Sequence, residues 1–257
     1  MLDVTPIPAF SDNYIWCLTR PGEKQAVVVD PGDGEAVLER LAEGGLELAG
    51  VMITHHHFDH TGGLERLLQH REVPVYGPHN PAITQISTRL GQGDKVQVLG
   101  VEFEVFEVPG HTLDHIAFYA ALETPLLFCG DTLFAGGCGR LFEGDAAMMT
   151  ASLGQLAALP ATTQVFCAHE YTLANLAFAA AVEPANMALQ GRIAADSERR
   201  ERGVPTVPSN IAMELATNPF LRCHTPEIIA QMRAQAQLAN TDPVSVFAAV
   251  RRWKDNF

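Results

Sequence analysis

The sequence predicts an α/β chain in which a strand-rich segment precedes a helical one. Three observations carry that expectation. Short apolar, β-branched runs recur up to residue 168, helical patterns lie between them, and after Tyr171 the texture turns to Ala-rich stretches. The predicted division is residues 1–170 and residues 171–257. A chain of 257 residues can bury a sizeable core without disulfides, as one large domain or as a core domain with a smaller companion.

The runs expected as strands are Tyr14–Thr19, Ala26–Asp30, Gly50–Thr54, Val101–Val108, His115–Ala120, Leu126–Cys129 and Val165–Cys167. In the fourth, Val101, Phe103, Val105, Phe106 and Val108 are set against Glu102, Glu104 and Glu107, which suits a strand with one wet face. Helices are expected at Gly34–Ala42, Gly63–His70 and Ala146–Leu159. Beyond residue 170 they are expected at Thr172–Glu183, Ala185–Arg202, Asn210–Ala216, Pro226–Ala239 and Pro243–Trp253. Thr225-Pro226 and Asp242-Pro243 are good starters, because proline fits the first helical position.

Composition narrows the function classes. The formal charge of −13 argues against nonspecific binding to nucleic acid or anionic membrane, both of which attract cationic surfaces. No run approaches the roughly eighteen apolar residues of a membrane span, and no basic stretch precedes an apolar one near the start. The five cysteines are odd in number and form no CxxC pair, which suits reduced thiols. A soluble, cytoplasmic monomer is the expectation. An anionic ligand on so acidic a chain would need a local basic patch.

The strongest chemical signal is Thr54-His55-His56-His57-Phe58-Asp59-His60, directly after the apolar run Val51-Met52-Ile53. In extended backbone alternate side chains share a face, so His55 and His57 should point together and His56 away. A helical turn opening behind them can bring Asp59 and His60 round to a second point. His111, Asp131 and His169 each follow a predicted strand within a few residues, at strand ends where α/β proteins gather their sites. Five histidines and two aspartates so placed suit zinc, iron or manganese. His70, His79 and His224 read as solvated side chains, whereas His56 and His115 are open between support of the site and no role.

HxHxDH, then Pro109-Gly110-His111-Thr112, Cys129-Gly130-Asp131-Thr132 and Ala168-His169-Glu170-Tyr171, in that order, resemble the metallo-β-lactamase superfamily. The resemblance implies a four-layer αββα sandwich. It implies two divalent metal ions, zinc foremost with iron or manganese as alternatives. His55, His57 and His111 would hold one ion, Asp59, His60 and His169 the other, and Asp131 would bridge them.

Three further stretches are similar to glyoxalase II, the hydroxyacylglutathione hydrolases: Pro8-Ala9-Phe10-Ser11-Asp12-Asn13-Tyr14, Gly137-Cys138-Gly139-Arg140, and the ending Val250–Phe257. The resemblance spans the whole chain and implies a C-terminal helical domain that binds glutathione. Arg140, Phe142 through its backbone, Tyr171, Arg251 and Lys254 would contact the ligand. Many relatives carry Lys and Tyr where this chain has Arg140 and Phe142. The implied reaction is hydrolysis of S-D-lactoylglutathione by a hydroxide that Asp59 orients, the second step of methylglyoxal detoxification. Cys138, among Gly136, Gly137 and Gly139, reads as a small packed residue and not a nucleophile. A glutathione persulfide dioxygenase of the same superfamily and a noncatalytic metal or glutathione binder are the alternatives.

Overall fold

A computed structural model describes residues 2–236, 238 and 240–257. It resolves into two compact units, Met1–Glu107 with Asp114–Gly130, and Val108–Leu113 with Asp131–Phe257.

The first unit is built on a six-stranded sheet of β1 (Asp3–Ala9), β2 (Asn13–Thr19), β3 (Gln25–Val29), β4 (Glu47–Met52), β5 (Val75–Pro78) and β6 (Thr88–Leu90), in that spatial order. β1, β2 and β3 pair antiparallel, and β3 to β6 run parallel. α1 (Gly34–Gly44) and α3 (Leu64–His70) cover one face of this sheet. Val37 and Leu41 from α1 and Leu64 and Leu67 from α3 share a core cluster with Ile15, Cys17, Ala26, Val28 and Val51. The alternate residues Trp16, Leu18, Val27, Val29 and Met52 are buried as well, so the opposite face is also dry. Asp33 caps α1 by accepting from the amides of Glu35 and Ala36, and Gly45 ends it in the left-handed region.

Four more strands form an antiparallel meander, β7 (Lys95–Val98), β8 (Val101–Glu107), β9 (Ile116–Ala120) and β10 (Leu126–Gly130). On β8 the predicted alternation holds from Val101 to Val105, with Val101, Phe103 and Val105 buried and Glu102 exposed, and breaks at the half-buried Phe106 and the exposed Glu107. β4 ends at Met52, two residues before the predicted strand does, and this releases Ile53 and Thr54 into the loop that carries the histidines. A four-residue helix, α2 (Phe58–Thr61), follows that loop.

The second unit holds a short hairpin of β11 (Leu133–Phe134) and β12 (Gly137–Cys138), and an antiparallel pair of β13 (Gln164–Cys167) and β14 (Ser209–Asn210). Around them lie α4 (Ala146–Ala157), α5 (Thr172–Val182), α6 (Met187–Glu201), α7 (Ile211–Thr217), α8 (Pro226–Ala236) and α9 (Pro243–Asp255). Asp145, Asn186, Asn210 and Asp242 cap α4, α6, α7 and α9 through their side chains. The predicted helix Pro226–Ala239 is α8 as far as Ala236; Leu238 is not helical, and Gln237 and Ala239 lie outside the described residues. No helix among the described residues is long and apolar enough to cross a membrane.

Candidate metal and substrate sites

The first unit sets His55, His57, Asp59 and His60 in one short loop. His55 Nε2 lies 3.1 Å from His57 Nδ1, while His56 turns elsewhere and places Nδ1 2.9 Å from Asp114. α2 brings Asp59 and His60 back, with His60 Nε2 3.4 Å from Asp59 Oδ2 and the His55 and His60 rings 4.1 Å apart. Asn13 donates to Asp59 Oδ2 at 2.9 Å, which fixes that carboxylate.

Beneath the loop sits Asp30, the last residue of the predicted strand Ala26–Asp30. It is buried and holds the left-handed conformation, φ 54°, which Asp tolerates better than most residues. It accepts from the Thr54 amide at 2.7 Å, the Thr54 hydroxyl at 2.7 Å and His60 Nδ1 at 3.0 Å. The Thr54 hydroxyl proton thus goes to Asp30, so Thr54 Oγ1 accepts from His55 Nδ1, 3.0 Å away. One carboxylate thereby sets the tautomer of two histidines, and both present Nε2 to the loop's interior. The available signal was Asp30-Pro31-Gly32 at a strand end, three residues unsuited to continuing a strand.

Gly130 shows how tightly this floor is packed. Its φ is 47°, and a Cβ there would stand 2.9 Å from the His115 ring and still closer to the Thr54 hydroxyl. His115 stacks on His55 at 4.5 Å and points Nδ1 at the Ile116 carbonyl, 3.1 Å away.

In the second unit Asp131 faces two histidines, one from each carboxylate oxygen. Oδ2 lies 3.4 Å from His111 Nε2 and Oδ1 lies 3.4 Å from His169 Nε2. His111 donates from Nδ1 to the Arg140 carbonyl at 2.8 Å, so it too presents Nε2. These spacings decide whether the residues fit a metal. Ligand atoms about 2.0–2.1 Å from one ion stand roughly 3.0–3.4 Å from each other, depending on geometry. The pairs 3.1 and 3.4 Å apart fall in that range, and the oriented imidazoles supply neutral lone pairs. The donor set fits divalent ions.

The candidate substrate contacts all lie in the second unit. Arg140 is exposed, 3.6 Å from Asp255. Phe142 is exposed, donates its amide to the His111 carbonyl at 3.2 Å and sets its ring edge-on to that imidazole. Tyr171 stacks flat on His169, 4.6 Å between centroids, and is 38 % exposed. Lys254 donates to the Ala174 carbonyl at 3.2 Å and lies over the Phe178 and Phe257 rings. Its burial, with Arg251 close by, pulls its pKa below the usual lysine value. Arg251 is only 6 % exposed, and it donates to the Cys138 carbonyl at 3.1 Å, pairs with Asp255 at 2.9 Å and covers the Phe220 ring. It is a buried brace more than a presented cation. The Cys138 thiol is buried and pushed up to about 11, since burial outweighs the nearby Arg251 charge, so it carries no thiolate at neutral pH. All five cysteines are buried, and none forms a disulfide.

Comparison with known proteins places this arrangement in a class. The metallo-β-lactamase superfamily model matches residues 12–169 and the hydroxyacylglutathione hydrolase C-terminus model matches residues 170–257. A hydroxyacylglutathione hydrolase of Chromohalobacter salexigens is 51 % identical over 257 residues, covering all of both chains. Among solved structures, that of ETHE1 from Myxococcus xanthus is 26 % identical with a TM-score of 0.65, over 99 % of this chain and 98 % of that one. TTHA1623 in a di-iron-bound form is 25 % identical with a TM-score of 0.59, over 84 % of this chain and all of that one. The fold is therefore the αββα sandwich of the metallo-β-lactamase superfamily, extended by a helical C-terminal region. Within that superfamily, the chain belongs to the hydroxyacylglutathione hydrolase family.

Proposed function

We propose that this chain hydrolyses the thioester of S-(2-hydroxyacyl)glutathiones, S-D-lactoylglutathione foremost, to glutathione and the 2-hydroxy acid. That is the second step of methylglyoxal detoxification. The observation that carries the reading is the full-length likeness, at about half identity, to a hydroxyacylglutathione hydrolase, with the helical C-terminal segment included. Residues 1–170 supply the catalytic domain and residues 171–257 the glutathione-binding one. A cytoplasmic monomer is part of the same reading.

The fold family and the donor chemistry support divalent metal ions as cofactor. His55, His57 and His111 would hold one ion and Asp59, His60 and His169 the other, with Asp131 shared. Zinc suits this nitrogen and oxygen set best, with iron or manganese as alternatives. When bound, two such ions supply hydroxide at neutral pH and neutralise charge growing on the thioester carbonyl.

The chain's own groups do the rest. Asp59, whose carboxylate Asn13 fixes, would hold the attacking water in place. Asp30 and Thr54 hold protons on His60 Nδ1 and His55 Nδ1, so that each Nε2 stays a lone-pair donor. Thioester cleavage releases a thiol of pKa about 8.5, which departs as thiolate without a general acid. Arg140 and Lys254 meet the glutathione carboxylates, the Tyr171 hydroxyl donates a hydrogen bond, and the Phe142 backbone adds a contact. Arg251 acts from behind, holding the carbonyl of Cys138 and with it the segment that carries Arg140.

The test is loss of thioester absorbance with S-D-lactoylglutathione, run beside metal analysis of the same protein. Hydrolysis that scales with bound metal supports the reading. Oxygen consumption with glutathione persulfide, without thioester hydrolysis, would replace it by the dioxygenase alternative.

A further inference from the structure

The β11–β12 hairpin pairs Leu133 with Cys138 and Phe134 with Gly137. So short a hairpin cannot hold its own shape, since isolated two-stranded ribbons are marginal even when longer. Side chains of the helical segment hold it instead. The Asn218 amide donates to the carbonyls of Phe134, at 3.2 Å, and Gly137, at 2.8 Å. The Asn175 amide donates to the Ala135 carbonyl at 3.2 Å, and Glu214 Oε2 accepts from the Gly136 amide at 2.8 Å. Arg251 takes the Cys138 carbonyl. Each of five consecutive residues, 134 to 138, gives one backbone group to a helical side chain.

The sequence is built for this approach. Gly136 sits at φ 70°, and a Cβ on Gly137 would stand 2.6 Å from the Asn175 amide. Glu214 is fully buried, and the Arg192 guanidinium at 2.8 Å neutralises it while the Ser209 hydroxyl donates to the same oxygen. Directly after the hairpin, Gly139 lies so close to the Asp131 carbonyl and the His111 ring that no side chain fits. Arg140 follows.

We propose that Asn218, Asn175 and Glu214 are positioning residues for substrate, templating the hairpin so that Gly139 and Arg140 reach the bound glutathione moiety in one place. This rests on the glutathione-thioester reading for the identity of the ligand. The helical segment then serves twice, by contacting the ligand directly and by shaping the loop that also contacts it. A merely structural role would lower thermal stability and leave recognition alone.

Asn218→Ala and Asn218→Gln separate the two in the metal-loaded, full-length protein. Amide hydrogen exchange over residues 133–140 should speed up in Asn218→Ala and recover in part in Asn218→Gln, which keeps the amide donor. KM for S-D-lactoylglutathione should rise about tenfold in the alanine variant with bound metal unchanged and kcat moving less. A lowered melting temperature with unchanged KM and unchanged hairpin exchange would overturn the proposal. If Asn218→Ala does not fold, Asn175→Ala removes a single bond and should show the same pattern at smaller amplitude, with unchanged exchange again overturning it. If the wild type hydrolyses no glutathione thioester, the functional reading fails by itself. The exchange comparison, with glutathione as the added probe, then still decides whether these residues shape the hairpin.

Discussion

The HxHxDH loop and the Leu133–Cys138 hairpin both carry candidate site residues, yet they are held in different ways. The loop has a hub: Asp30 alone accepts from the Thr54 amide, the Thr54 hydroxyl and His60 Nδ1, and through Thr54 it orients His55. The hairpin has a distributed brace, with Asn175, Glu214, Asn218 and Arg251 each holding a different backbone group. Where imidazole tautomers must be fixed, one buried carboxylate does it for two rings. In the hairpin two neutral amides, a carboxylate acceptor and a guanidinium share the task, and loss of one leaves the rest. A single substitution should therefore cost more at the hub than at the brace.

The largest effects are expected at the ligands themselves. Asp131→Ala and His57→Ala should each abolish turnover and lower bound metal, read by thioester assay and metal analysis. Full activity in a variant that has lost metal would break the account of both regions at once.

Next comes the hub. Asp30→Ala should weaken metal binding by about 10–100-fold, as loss of a supporting carboxylate does elsewhere, and turnover should fall with it. Asp30→Asn keeps the left-handed preference and a carbonyl acceptor, so a smaller loss is expected. If Asp30→Ala weakened metal binding no more than Asn175→Ala, the contrast between hub and brace would collapse.

Smaller changes are expected at the presented cations. Arg140→Ala or Lys254→Ala should raise KM about tenfold or more, the scale of one lost charge-assisted hydrogen bond, with kcat little changed. Added salt should raise the wild-type KM more than the variants', because screening weakens exposed charge pairs. Arg251→Ala should differ from both by lowering the melting temperature as well, since it empties a buried position bonded to Cys138 and Asp255.

The smallest concerns the thiols. Burial raises the Cys138 pKa to about 11 and that of Cys167 to about 12, so the native protein should react negligibly with a thiol reagent at pH 8. The sign follows from linkage. The folded state keeps these protons while an unfolded thiol of ordinary pKa loses its own, so this contribution is complete below the ordinary value and declines as pH rises towards 11. Rapid labelling of Cys138 in native protein would show that the brace around it opens.

The two regions also differ in how far the sequence revealed them. The HxHxDH geometry was legible because its candidate ligands lie within six residues of one another and alternate as extended backbone dictates, and His55 and His57 do face each other while His56 turns away. Asp30 was not, since its role depends on bonds to residues 24 and 30 positions away. The hairpin brace joins residues 40 to 113 positions apart, and no local pattern encodes such pairings. The burial of Arg251 was hidden likewise, because a basic helix end reads as solvated until its partners are known. Among the strands, β1 was missed because Pro6 and Pro8 argue against a strand. As the sheet's edge, it tolerates prolines whose missing amides would face outward. β5, β6 and β7 are three or four residues long, too short for a periodicity to register.

The most direct test compares metal-replete and chelator-stripped protein, following thioester absorbance with S-D-lactoylglutathione. Hydrolysis by the replete protein, its loss on stripping and its return with added zinc are the predicted results. A replete protein that leaves the thioester intact, or a stripped one that cleaves it at full rate, would contradict metal-dependent thioester hydrolysis by this chain.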